Sequence, residues 1–126
     1  MIGKSLRTIL LTSEAITALV GDRITPVKSE QAKAFPCLFY GTDNLTGIPC
    51  RSGGGSYIGT VEISIMAGSP NQIDELTGEV RALLDDKELA AAGYAISFDV
   101  GVTGPDDEEE QVYYRRLDCQ VLASRL

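Results

Sequence analysis

The chain has 126 residues, 44% of them hydrophobic and 23% charged, with no His and no Trp. That length suits a single domain over residues 1–126, because one domain usually spans about 100 to 150 residues and buries a sufficient core without metal or disulfide staples. A net charge of −7 argues against binding a nucleic-acid backbone by counterion release, and the lack of His removes the commonest general base and metal ligand.

Gly3 to Val20 has a helical pattern in two apolar stripes, Leu6, Ile9 and Leu10, then Ile16, Leu19 and Val20. Ser13 between them is an expected N-cap for a second short helix, and Gly21 is expected to end it in a left-handed turn. Ile24 to Val27 is expected as a short strand that Pro26 confines to a sheet edge. A strand from Pro36 to about Leu45 should pair with "YIGTVEISIMA", where Tyr57, Val61, Ile63, Ile65 and Ala67 alternate with Thr60, Glu62 and Ser64. The connection between them, Thr46 to Ser56, is longer than most hairpin loops.

Ser69-Pro70-Asn71-Gln72 has the form of a capping box, with Ser at the cap, Pro at the first helical position and Gln three after the cap. Ile73, Leu76, Val80, Leu83 and Leu84 follow at helical spacing, so this helix should bury its stripe on the sheet. Leu89 to Ala92 is expected as a short helical continuation stopped by Gly93. Tyr94, Ile96, Phe98, Val100 and Val102 then share one strand face, and a turn with Gly104, Pro105 and several acids leads to the last strand. In that strand Tyr113, Leu117, Cys119 and Val121 share one face, and Tyr114, Arg116, Asp118 and Gln120 the other. The expected fold is α+β, a mainly antiparallel sheet of about four to five strands with two main helices packed on one face.

Charge is unevenly distributed. Residues 1 to 51 hold six Lys or Arg against four Asp or Glu, a balance of +2, and residues 52 to 126 hold five against fourteen, a balance of −9. A solvated acidic surface accounts for this, and so does contact between copies through unlike faces. Cys37, Cys50 and Cys119 cannot all pair within one chain and show no C-x-x-C spacing, which suits reduced thiols in the cytosol. The opening residues offer only Ile9 to Leu11 as an apolar run, too short for a signal-peptide core, and no segment approaches the ~18 apolar residues of a membrane span.

"CRSGGGSYIG", residues 50 to 59, is the stretch that most resembles a phosphate cradle. A P-loop needs G-x-x-x-x-G-K-[ST], but counting from Gly47 puts Ser52 at the second glycine with no Lys nearby. A G-x-G-x-x-G fingerprint begun at Gly53 and Gly55 ends on Ile58, and a strand follows rather than the helix whose N-terminus would face an anion. Arg51, Ser52, Gly53, Gly54 and Gly55 therefore read as a flexible hairpin tip, either a partner or lumen loop or simply solvated. Asp106, Asp107, Glu108, Glu109 and Glu110 lack the spacing of a calcium loop and read as a hydrated run or an acidic interface. Cys119 sits on an apolar strand face as a small core residue, and Arg115 and Arg116 point to opposite faces, one of them positioned to pair with an acid across the strand. No residue is singled out as catalytic, cofactor-binding or metal-binding.

Ala18-Leu19-Val20-Gly21-Asp22-Arg23-Ile24 with Pro26, then "FPCLFY" at 35–40, "VEISIMA" followed directly by the capped helix, and "YYRRLDCQV" at 113–121 occur in an order that resembles the tail-completion or tail-terminator proteins of long-tailed bacteriophages and prophages. The resemblance implies an α+β structural subunit without catalytic residues. Its copies would form a ring, six-fold in known members, that caps the tail tube, ends its polymerisation and meets the head–tail connector protein. The implied partners are the chain itself, the tail-tube protein and the connector, with no membrane and no sequence-specific nucleic acid. The implied location is the virion tail, reached from the host cytoplasm during assembly. Two other roles fit the residues: a head–tail connector or neck protein, and an acidic inhibitor that captures a basic partner through Asp106 to Glu110.

Overall fold

The computed structural model describes residues 2–26, 36–48, 56–109 and 112–125. Its elements run α1 (Ile2–Leu11), α2 (Glu14–Val20), β1 (Ile24–Pro26), β2 (Cys37–Ile48), β3 (Ser56–Ala67), α3 (Pro70–Leu84), β4 (Lys87–Ala91), β5 (Tyr94–Glu109) and β6 (Val112–Arg125). The strands form one six-stranded sheet in the order β1-β2-β3-β6-β5-β4. β1 lies parallel to β2 and every other neighbouring pair is antiparallel.

Local chemistry sets the helix ends. Ser13 Oγ accepts the Ile16 N–H at 3.2 Å, which caps α2, and Gly21 closes it at φ 61° while its N–H donates to the Thr17 carbonyl at 2.8 Å. Two arginines then clasp the turn into β1. Arg7 Nε donates to the Ile24 carbonyl at 2.9 Å, and Arg23 donates to the carbonyls of Pro36 at 3.0 Å and Leu19 at 3.2 Å. At α3, Ser69 Oγ accepts the Gln72 N–H, and the Gln72 side chain accepts the Gly68 N–H, both at 3.3 Å. The return bond lands one residue earlier than in a standard capping box, with the same effect of satisfying free donors.

All three helices contribute to one hydrophobic core on the inward sheet face. α3 packs over β3, β6, β5 and β4, and α1 touches β4 at one end of the sheet as well as β1 and β2 at the other. One helix reaches both edges because the sheet curls around it. Leu6, Leu10, Ile16, Leu38, Ile63, Ile65, Leu76, Leu84, Ile96 and Leu117 are fully enclosed. Each such side chain stabilises the fold by roughly 1.5–3 kcal/mol relative to exposure. Tyr57 and Tyr94 meet edge to face at 6.1 Å beside this core.

β2 carries one extra residue where its register with β3 shifts between Gly41 and Asn44. This bulge moves the inward positions from even numbers, where Leu38 and Tyr40 are buried, to odd ones, where Leu45 packs on the core. Gly59, opposite Leu45, holds φ 149°, and a Cβ there would overlap the Asn44 carbonyl oxygen. Only glycine fits that position.

Four expectations need correction. The sheet has six strands rather than about four to five, because Lys87–Ala91 joins it as β4, and the expected mainly antiparallel sheet is mixed, because the three residues of β1 add in parallel. Leu89 to Ala92 is not helical: Asp86 at φ 58° turns the chain out of α3, and Ala92 and Gly93, at φ 49° and 89°, make the two-residue loop of a β4–β5 hairpin. The acidic segment is not a turn up to Glu109, because β5 continues through it with a register shift between Thr103 and Asp107. β2 also runs on to Ile48, so Thr46 to Ile48 belong to a strand rather than a loop, and residues 49–55 lie outside the described residues.

These backbone constraints predict opposite outcomes for two glycines. Gly59→Ala should lose roughly 1–3 kcal/mol in urea unfolding, the range for a residue forced into a sparsely populated conformation. Gly78→Ala, in α3 with open space at its Cβ position, should gain up to about 1 kcal/mol.

Candidate functional site

The outward face of the sheet is where side chains stay accessible while their backbone is fixed by two neighbours. It divides into an apolar end and a charged end. Ile58 on β3 and Leu122 on β6 stand directly opposite each other, 51% and 45% exposed, with Ser97 of β5 next in the same row. Two rows along the same face, beyond Thr60, Gln120 and Asp99, a further row aligns Glu62, Asp118 and Gly101. Arg116 reaches into it, its Nε 2.9 Å from Asp118 Oδ1 and 3.7 Å from Glu62 Oε1, and Ser64 Oγ donates to Glu62 at 3.3 Å. The hydrogen bond to Asp118 first, and the Glu62 charge second, hold the Arg116 guanidinium above its ordinary pKa. Exposed pairs of this kind add little stability, so their main effect is to orient Arg116 on the surface.

Arg115 does the opposite job on the inward side. Its Nη1 lies 2.9 Å from Asp74 Oδ1 and donates to Thr77 Oγ1 at 3.0 Å, while the buried Thr77 hydroxyl donates to the Ile73 carbonyl at 2.7 Å. Strand alternation thus separates two adjacent arginines: Arg115 ties α3 to the sheet and Arg116 faces outward. Both are paired with acids, where one such pair was expected.

The candidate residues fare unequally. Arg51, Ser52, Gly53, Gly54 and Gly55, together with Glu110, lie outside the described residues. Asp106, Asp107, Glu108 and Glu109 have their backbone in β5, and the structure describes nothing of their side chains. Ile58 and Leu122 were not singled out from the sequence, although the signal was available: each is apolar at a position where its own strand's alternation calls for a polar residue. Among the described residues, no group of three or more His, Cys, Asp or Glu is placed to hold a metal ion.

Cys37 and Cys119 are buried free thiols. Burial pushes Cys37 up from 9.0 to about 11, partly opposed by Arg23, and pushes Cys119 up to about 12. Both therefore stay protonated near neutral pH and act as small apolar groups rather than nucleophiles.

These observations define a class: an α+β domain whose patterned outward sheet face and strand edges are its accessible chemistry. The chain belongs to the tail completion protein gp17 family, whose model matches residues 4–124. The family is one of structural phage tail proteins. A solved chain from the virion of a native gene transfer agent particle superposes with a TM-score of 0.69 at 16% identity, covering 98% of this chain and 93% of that one. At that identity the likeness establishes the fold alone. The search of curated proteins finds no match.

The raised thiols give a pH prediction. A thiol that keeps its proton in the fold contributes stability that is complete below about pH 9 and is lost as pH rises through about 11 for Cys37 and about 12 for Cys119. Urea midpoints should therefore fall between pH 8 and pH 10.5, and by less in a Cys119→Ala variant. Thiol reagents at pH 8 should label both residues only when the chain unfolds.

Proposed function

We propose that this chain is a tail terminator: its copies form a ring on the end of the phage tail tube, stop tube growth and present a surface to the head–tail connector. The observation that carries the proposal is the family match, which spans the fold from α1 to β6. Family membership places the chain in a structural role in phage tails. Residues 1–126 act as one domain, located at the top of the virion tail.

Physical features support the finer role. Ile58 and Leu122 form an exposed apolar pair on the same sheet face as an oriented charge cluster, a combination suited to burial against another protein. Specific interfaces bury about 1,200–2,000 Å² in total, more than one such pair supplies, so the strand edges and loop tips must contribute as well. Arg51 to Gly55 is the segment we assign to the tube or lumen, and Asp106 to Glu110 the acidic contact. The gene transfer agent chain, which has the same fold, comes from a virion.

Electron microscopy of tails assembled without this chain separates the terminator role from a neck role. Tubes of uncontrolled length are the predicted outcome, whereas tails of normal length that fail to join heads would mean a neck protein. Deleting Gly53 to Gly55 should impair head–tail joining in an infectivity assay while leaving the melting temperature unchanged. Normal particle yield from that deletion would remove the loop from the function.

A further inference from the structure

Among the described residues, the two ends of the sheet are incompletely covered, at diagonally opposite corners. β1 pairs only with Leu38 to Tyr40 of β2, so among the described residues no strand pairs with the outer edge of β2 from Gly41 to Ile48. β4 pairs with β5 only from Tyr94 to Phe98, and beyond Val100, whose N–H donates to Asp85 Oδ1 at 3.0 Å, no described strand covers the edge to Glu109. An open strand edge presents unpaired N–H and C=O groups that template further pairing.

We infer that the open edge of β2 in one copy pairs, antiparallel, with the open edge of β5 in the next, so that the sheet continues from subunit to subunit. This rests on the ring in the reading above and adds the contact that closes it. Two observations select a second copy as the occupant. The first is direction: β2, β3, β6 and β5 alternate in sense, so a copy placed beside the first by rotation about an axis roughly along the strands sets its β5 antiparallel to the neighbouring β2. The second is that the two edges are different surfaces of one molecule, which makes the contact heterologous, the kind that closes into a ring when its rotation closes. Their diagonal placement requires strands tilted to the ring axis, as sheet closure generally does.

The bulges at Gly41–Asn44 and Thr103–Asp107 ordinarily blunt an edge. Here they limit pairing to the regular stretches beside them and so fix its register. Backbone direction follows from the bonds already made. Leu38 N–H points toward β1, and the one-residue bulge shifts outward-pointing N–H groups to Leu45 and Gly47. Val100 N–H points away from β6, so Val102 N–H does too.

Proline at either outward position deletes one edge donor without touching the internal ladder. At a concentration where the wild-type chain is assembled, Gly47→Pro and Val102→Pro should each sediment as monomers. An equimolar mixture should give heterodimers and nothing larger, because one intact β2 edge meets one intact β5 edge. Circular dichroism melts verify the fold of each variant. Independently of any substitution, amide exchange at Leu45, Gly47 and Val102 should slow at least tenfold when the wild-type chain assembles.

Homodimers from a single variant, unchanged self-association in both, fast exchange at those amides in the assembled chain, or a wild-type chain still monomeric at millimolar concentration would each overturn the pairing. Tails of normal length made without the chain count against the terminator role alone. Unchanged assembly of both proline variants counts against the strand pairing alone.

Discussion

The β3–β6 ladder is the constraint on which the molecule depends. It pairs twelve consecutive residues of β3, Ser56 to Ala67, with Ser124 back to Tyr113 and no register shift. Because side chains alternate with a period of two, a slip of one residue would put Val61, Ile63 and Ile65 on the opposite face from Leu117, Cys119 and Val121 and expose one of the two sets. Everything else is arranged around that central pair. Helices cover its apolar side, β2 and β5 extend it on either flank, and irregularity is confined to those flanks.

That arrangement divides stability from function in space. The inward face, the Arg7 and Arg23 clasps and the Arg115–Asp74–Thr77 contact hold the fold together. The outward face and, among the described residues, the two partly open edges are the surfaces left over, and the outward face carries the exposed Ile58–Leu122 pair and the Arg116 cluster. A structural tail protein works by surface complementarity, so a rigid ladder with patterned surroundings is the appropriate design. The buried thiols belong to the stabilising half, since burial leaves them protonated and unreactive near neutral pH.

Much of this was legible from residue order. The capping box at Ser69, the Ser13 cap, the Gly21 helix end and the alternation of β3 and β6 all follow from local chemistry, and the structure contains each of them. The opposed directions of Arg115 and Arg116 were equally readable, because alternation needs no tertiary information. Four features were not. Five residues of β4 are too few to distinguish strand from helix, and the deciding facts are positive φ angles at Asp86 and Ala92, where the residue type gives no warning. Gly104 and Pro105 signal a turn, yet pairing with β6 carries β5 past them at the cost of a register shift. The parallel pairing of β1 depends on where the chain returns, not on its own three residues. Ile58 and Leu122 came to light only when the register set them side by side, since a single exposed apolar residue carries no message.

On the proposed reading, this chain acts as one ring, built by edge-to-edge contact, at the head-proximal end of a tail tube. Cryo-electron microscopy of purified tails at side-chain resolution tests it most directly. The account predicts a single ring of this chain at that end, with β2 of each copy hydrogen-bonded to β5 of the next. Density for the chain along the length of the tube, or copies at the rim whose sheets do not touch, would contradict it.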